Sequence, residues 1–558
     1  MRRSLIRLAA ASALLFAAPV AAREAEAPPR PNFLIIVTDD LGFSDLGAFG
    51  GEIETPNLDA LALSGLRLTG FHTAPACSPT RSMLLTGSDS HRVGLGAMAE
   101  VTQENQRGQP GFEGYLRADA PTLAERLSAA GYRTLYSGKW HLGVTPEQDP
   151  HARGFQHSFS LAQGGHNHFG LGLSDDPIKG ATYREDGVAV KSLPKDFYSS
   201  DYFGDKLVQQ IKTTKAGPDG KKPFFAYLAF TAPHFPLQAP AEAIAKYKGR
   251  YDAGYEVLRE QRIKRQRELG LIGATTQPHR LLDAPKWEEL SPEERKVDAR
   301  EMETYAAMVD RVDQAVGRVV AALKETGEFD NTVILFLSDN GAEGMDVSQA
   351  SVAGLRKVAQ AASNDFDSIG TARSYISYGR GWAQAATAPS YRFKSYATEG
   401  GTRTVAFIAG PVVRKPGTIT STYTHVTDVT PTFLELAGAP VEQGRFAGRK
   451  TQPIDGLSWA SFLKTGTAVY PADKPVGTEL FGSRSIRQGD WKIVDIADGK
   501  WRLFNIANDP GETRDLSDQE PARKATLVKA WDDYASRVGA VLPNPPIRPN
   551  PPINPEGE

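Results

Sequence analysis

The sequence predicts an α/β fold: a large mixed, mainly parallel sheet sandwiched by helices, followed by a smaller unit with a short antiparallel sheet and a helix. Three observations carry this. Continuous apolar runs of strand length end abruptly in polar residues, as in NFLIIVTDD (32–40), FFAYLAFTAPH (224–234), TVILFLSDNG (332–341) and TVAFIAG (404–410). An unbroken run of this kind suits a strand buried on both faces, the usual state inside a parallel sheet. Between the runs lie stretches of helical periodicity, and beyond residue 440 the pattern shortens to alternating strands with turn signals.

The elements follow in order. Arg2, Arg3 and Arg7 precede LAAASALLFAAPVAA, which ends in small residues. This has the form of a secretory signal peptide over residues 1–22, cut after Ala22. It implies export, to the periplasm, and the run is shorter than the roughly 20 residues that span a bilayer. Residues 23–31 read as a linker. The main domain, 31–440, opens with the first apolar run. PTLAERLSAAG (121–131) predicts a helix, and GYRTLYSGKWH (131–141) a more amphipathic strand. Residues 241–300 are rich in interleaved charge and predict a solvated helical hairpin. YAAMVDRVDQAVGRVVAALKETG (305–327) predicts a long helix closed by a glycine. In 441–540, SRSIRQGDWKIVDI and KWRLFNIANDPGE give the antiparallel strands, with turns at Gly-Asp and Asp-Pro-Gly, and ARKATLVKAWDDYASRV gives the last helix. The proline-rich residues 541–558 predict an extended, poorly ordered tail.

Composition excludes some partners. Of 558 residues, 23% are charged, and the net charge is −2. That balance offers no attraction to nucleic acid or an anionic membrane. A single cysteine, Cys77, allows no internal disulfide. In an oxidising compartment a bare thiol is a liability, so Cys77 reads as a reactive group, an intermolecular bridge or the precursor of something else.

In open α/β sheets, ligands gather at the carboxyl ends of the parallel strands. Here one apolar strand ends in Asp39-Asp40 and another in Asp339-Asn340. Acids after strands are often turn formers, but two such pairs at neighbouring strand ends make a set of hard oxygen ligands suited to Ca²⁺ or Mg²⁺. Lys139 and His141, two apart, are expected to share a face of their strand. His234 closes FFAYLAF, and Lys394 lies in the loop YRFKSYATEGGTR. Taken singly, each is a surface lysine or a structural histidine. Together, cations and imidazoles beside a metal point to a polyanionic ester, a sulfate or a phosphate.

CSPTR (77–81) predicts a helix start, with Ser78 as cap and Pro79 in the first helical position. Residue 77 then sits where the helix dipole and free amides favour an anion, with Arg81 nearby. A cysteine nucleophile fits this local reading.

CSPTR followed by SMLLTG resembles the sulfatase signature Cys-x-Pro-x-Arg, whose cysteine is oxidised to formylglycine. Asp39-Asp40, GYRTLYSGKWHLG, APHFP, SDNGAEG and KSYATEGG stand in the family's order. CSPTRSMLLTG…GLGAMAE and QAP…KYKGRYDAGYEVLR are similar to bacterial arylsulfatases. One departure is Ser88, where many members have arginine. The resemblance implies one Ca²⁺ held by Asp39, Asp40, Asp339 and Asn340, with residue 77 also facing it. It implies a formylglycine hydrate at Cys77 as nucleophile, made by a formylglycine-generating maturation enzyme. Arg81 and Lys139 would hold the hydrate, and Lys139, Lys394 and His234 the sulfate. His234 would protonate the leaving group, and His141 would take the proton that lets sulfate depart.

The implied activity is hydrolysis of small-molecule sulfate monoesters, aryl sulfates first: a sulfuric ester hydrolase. Two alternatives stand beside it: a phosphate or phosphonate ester hydrolase on the same scaffold, and a non-catalytic binder of sulfated glycans. Gly164-Gly165-His166-Asn167-His168 reads as a loop near the substrate mouth and is given no role.

Overall fold

The structure is a computed structural model that describes residues 30–547 except 175, 177, 178 and 351. The expected signal peptide, the first part of the linker and the last part of the tail lie outside the described residues.

A ten-stranded sheet forms the centre. Its strands are β1 (Asn32–Thr38), β2 (Leu66–Leu68), β3 (Arg133–Lys139), β4 (His157–Leu161), β5 (Tyr183–Glu185), β6 (Val188–Ala189), β7 (Phe224–Ala229), β8 (Thr332–Ser338), β9 (Ala406–Ala409) and β10 (Thr418–Thr420). They lie in the order β10-β2-β9-β8-β1-β7-β3-β4-β5-β6. The run β8-β1-β7-β3-β4 is parallel throughout, while β9 is antiparallel to β8. The sheet is therefore mixed and mainly parallel, as predicted. The apolar run of β9 carries no sign of its direction, because a buried strand looks the same either way.

Why these runs are strands is visible in β1. Leu34 and Ile36 face one apolar layer, and Phe33, Ile35 and Val37 face the other, all fully buried. Each such side chain contributes about 1.5–3 kcal/mol of burial. One layer is closed by two helices, Ser199–Ala216 and Pro292–Glu325, through Phe203, Leu207, Val312 and Val316. The other is closed by α1 (Cys77–Thr86) and α2 (Leu123–Ala129), through Leu84, Leu85 and Leu127.

The predicted helix at 305–327 begins earlier, at Pro292, because Ser291 and Glu294 form a capping box. The charged stretch 241–300 is not a solvated hairpin. Its helix α3 (Tyr255–Glu268) buries Leu258, Ile263 and Arg262, and Arg262 lies 2.6 Å from Asp45 and 2.8 Å from Glu52. Sequence shows charge but not pairing, and a paired arginine can be buried.

The C-terminal unit is an antiparallel sheet, β11 (Pro475–Leu480), β12 (Ser483–Gln488), β13 (Trp491–Ile496) and β14 (Arg502–Asn505), with α4 (Pro521–Val538) across it. The tail departs from its expected disorder where it begins. Gln106 donates to the Val541 carbonyl at 2.7 Å, and Ile547 N donates to Phe481 O at 3.1 Å.

Candidate active site

The site forms where the central parallel strands end. Thr38 and Ser338 are paired, so Asp39 and Asp339 leave β1 and β8 side by side. Lys139 is the last residue of β3, and His234 follows β7. Four adjacent strands thus bring together residues about 300 apart in sequence, as the rule for open parallel sheets requires.

Cys77 enters from α1. The helix starts at Cys77 itself, with Ala76 as its extended N-cap, so Ser78 is not the cap. The Ser78 hydroxyl is buried without a partner among the described residues, because it lies inside the first turn rather than before it. Pro79 costs nothing there, since first-turn amides lack intrahelical acceptors. The helix ends at Gly87, whose φ of 73° needs glycine. The Cys77 Sγ lies 3.2 Å from Asp39 Oδ1. Burial, then Asp39, pushes the thiol well above its ordinary range, so it holds its proton at neutral pH. A cysteine thiolate nucleophile does not fit these surroundings.

The charges interlock. Lys139 Nζ donates to Asp39 Oδ2 at 2.6 Å, and Arg81 Nε to Asp339 Oδ2 at 2.8 Å. Arg81 also donates to the Lys139 carbonyl. Lys394 Nζ lies 2.7 Å from Asp40 Oδ1 and 3.3 Å from Glu343, an acid the sequence reading passed over although it stands within SDNGAEG. Burial pushes Asp40 up, but Lys394 and then His234 overturn this and leave it below its usual value. Asp339 goes the other way, to about 6, through burial and the neighbouring Asp39.

The donor set fits a hard cation. Single ligand atoms of Asp39, Asp40, Cys77 and Asp339 all lie within 4.8 Å of one another. Asn340 Nδ2 donates to Asp40 at 2.6 Å, yet its Oδ1 is buried with no partner among the described residues. An orphaned buried acceptor costs roughly 1–3 kcal/mol, and a cation among these oxygens would satisfy it.

The histidines differ from expectation. His141 does not continue the strand: β3 ends at Lys139, and His141 has φ 57°, a left-handed turn that cancels the alternation. Its Nε2 meets Glu100 Oε1 at 3.0 Å. His234 donates Nδ1–H to its neighbour's carbonyl, Phe235 O, at 2.6 Å, and its Nε2 lies 3.7 Å from Asp40 Oδ2. Burial, with Lys394 and Lys139, lowers His234 to about 3, against the opposite pull of Asp40, so it is neutral at rest.

The glycine-histidine loop walls the site. A Cβ on Gly164 would meet the His141 ring at 2.5 Å, and one on Gly165 would reach His234 at an ordinary 3.5 Å. His166 is bonded to Tyr183 and Leu171 O. His168 is bonded to Ser199 and His234 O. Both histidines are therefore structural.

The C-terminal sheet holds the Lys394 loop. Glu399 accepts from Lys492 at 2.8 Å and meets His72 at 2.9 Å, while Ala397 N donates to Ser483 Oγ.

Residues 31–439 match the family described as Sulfatase. The chain is 40% identical over 456 residues to the arylsulfatase of Klebsiella aerogenes, covering 81% of this chain and 95% of that protein. It is 44% identical to an uncharacterized sulfatase of Schizosaccharomyces pombe, covering 92% and 94%. Among solved structures, Ps i-CgsB in complex with k-i-k-neocarrahexaose superposes with a TM-score of 0.66 at 26% identity, covering 91% and 93%.

Proposed function

The chain belongs to the sulfatase family, and from that premise we propose that it hydrolyses aryl sulfate monoesters with a formylglycine made from Cys77 and one bound Ca²⁺. The sulfuric ester hydrolase activity follows from the family and its arylsulfatase relatives. One observation carries the finer reading: Cys77, the only cysteine, sits at the head of a buried helix in contact with a candidate metal ligand, and its thiol is held protonated. That is a poor place for a thiol to attack from and a good one for a polar group that replaces it.

Oxidised and hydrated, residue 77 would supply two hydroxyls, one to attack sulfur and one whose deprotonation breaks its own C–O bond and expels sulfate. Ca²⁺, held by Asp39, Asp40, Asp339 and Asn340 beside residue 77, would supply positive charge for the sulfate oxygens and the attacking hydroxyl. Lys139 and Lys394 are buried cations, each raised above its usual range despite burial by its carboxylate partner, so both stay charged to receive the sulfate. Arg81 ties Asp339 to the end of β3, and so holds a candidate metal ligand beside Lys139. His234 presents an unprotonated Nε2 at rest. An arriving sulfate monoester, a monoanion, raises its affinity for a proton drawn from solvent, and that proton then serves the departing phenolate. The Phe235 ring lies 4.1 Å from that of His234, centroid to centroid, and would offer an aromatic leaving group an apolar flank.

The N-terminal sequence supports export to the periplasm, and maturation requires a formylglycine-generating enzyme as transient partner. No helix among the described residues is long and apolar enough to cross a membrane.

The test is a comparison of kcat/KM for an aryl sulfate, an aryl phosphate and a sulfated hexose, with Cys77→Ala as control. The aryl sulfate should be fastest and the variant inactive on all three. A preference for the phosphate would favour the alternative hydrolase, and a preference for the hexose would overturn the aryl assignment.

A further inference from the structure

His141 has one ring nitrogen held by a carboxylate and the other buried without a bond among the described residues. Nε2 faces the Glu100 carboxylate at 3.0 Å. A carboxylate can only accept, so Nε2 carries the hydrogen and the lone pair falls to Nδ1. Glu100 reaches the ring from the rim of the site with its side chain 54% exposed. Desolvation there is outweighed by the imidazole facing it, which holds the carboxyl below its usual value, so it stays ionised across the neutral range. Nδ1 is buried and bonded to nothing among the described residues. Gly164 leaves no room for a side chain beside the ring, since a Cβ there would meet it at 2.5 Å, so only the Glu100 contact distinguishes the two ring nitrogens.

We infer that Glu100 is the positioning residue for the proton acceptor of the reaction: it fixes the His141 tautomer so that Nδ1 takes the proton from the second hydroxyl of residue 77. The inference rests on the proposed formylglycine hydrate. In the step, the hydroxyl O–H bond breaks as the N–H bond forms at Nδ1. The freed electron pair makes the aldehyde C=O, and the bond from that carbon to the sulfate oxygen breaks, with sulfate leaving as the dianion. Glu100 touches neither residue 77 nor the sulfate in this account. Its carboxylate orients the ring and stabilises the imidazolium that forms, as a carboxylate behind a histidine does elsewhere. Glu100 comes from the short 3-10 turn Ala99–Val101, and the neighbouring Met98 and Val101 pack with Ile547 of the C-terminal tail against Ala76, the N-cap of α1. The helix that delivers residue 77 and the turn that delivers Glu100 are thereby packed together.

The test uses full-length enzyme, with residue 77 checked by mass. Glu100→Ala and Glu100→Gln should lower kcat about 10- to 100-fold, the range found when a residue orienting an imidazole is removed, with KM falling alongside it and kcat/KM little changed. Because sulfate release is the step slowed, the first turnover should release a burst of phenol equal to the enzyme. His141→Ala should lose at least as much, and adding Glu100→Ala to it should cost nothing further. An unchanged kcat in Glu100→Ala, or losses that multiply in the double variant, would overturn the inference while leaving the formylglycine reading intact. A fully active wild type with residue 77 still a thiol would overturn that reading and the inference together.

Discussion

Cys77 Sγ and Lys139 Nζ share one carboxylate: Asp39 takes the thiol on Oδ1 at 3.2 Å and the ammonium on Oδ2 at 2.6 Å. The candidate metal ligand, the proposed nucleophile and the proposed sulfate-binding cation are thus one hydrogen-bonded unit. Protein produced without its maturation enzyme and stripped of metal therefore carries a quiet thiol. Iodoacetamide at pH 7 should modify native Cys77 far more slowly than the denatured chain, since alkylation needs the thiolate and burial and Asp39 suppress it. Rapid alkylation of the native form would contradict this.

Metal removal should cost stability in a pH-dependent way. Asp339 is raised from 3.8 to about 6 in the folded chain. The folded state then binds more protons than the unfolded one between those values, and stability falls as pH rises through that window. Asp40, lowered, works in the opposite sense, but below its usual value of 3.8. Chelated protein should therefore lose Tm steadily from pH 4 to 6, and Ca²⁺ should restore most at the upper end. Equal Ca²⁺ stabilisation at pH 4 and pH 7 would count against a site built on these carboxylates.

Gly164 and Gly165 make a matched pair. Neither has positive φ, so alanine is tolerated by the backbone at both. Only at Gly164 would the methyl drive into the His141 ring. Gly164→Ala should cut kcat about 10- to 100-fold, the scale of a displaced catalytic group, with little change in Tm. Gly165→Ala should remain close to wild type, and equal effects would deny Gly164 its role.

Lys492 sits in the C-terminal sheet, 3% exposed, between Glu399 at 2.8 Å and Glu512 at 3.0 Å. Lys492→Met takes the cation from Glu512 and leaves Glu399 with His72 alone, at a cost of about 3–5 kcal/mol. Thermal melts should show the loss, and kcat/KM should fall because Glu399 belongs to the loop that carries Lys394. Adding Glu399→Gln should recover part of the Tm. A Lys492→Met variant as stable and active as wild type would separate the two units.

The central strands and the acids at their ends were legible because a strand buried on both faces leaves an unbroken apolar run, and its first polar residue marks the edge. Asp39-Asp40 and Asp339-Asn340 follow from that alone. His141 was misplaced because alternation holds only while the strand lasts, and its left-handed φ leaves no mark in Trp140-His141-Leu142. Glu100 and Glu343 are single acids among many, and their partners are remote in sequence. The charges of Tyr255–Glu268 look solvated because the glutamate and aspartate that pair with Arg262 lie some 200 residues away.

The most direct measurement is the mass of the tryptic peptide Leu68–Arg81 from active enzyme. The sulfur of Cys77 should be replaced by the oxygen of an aldehyde or its hydrate, in proportion to the specific activity of the preparation. An unmodified cysteine in a preparation of full activity would contradict the account at its centre.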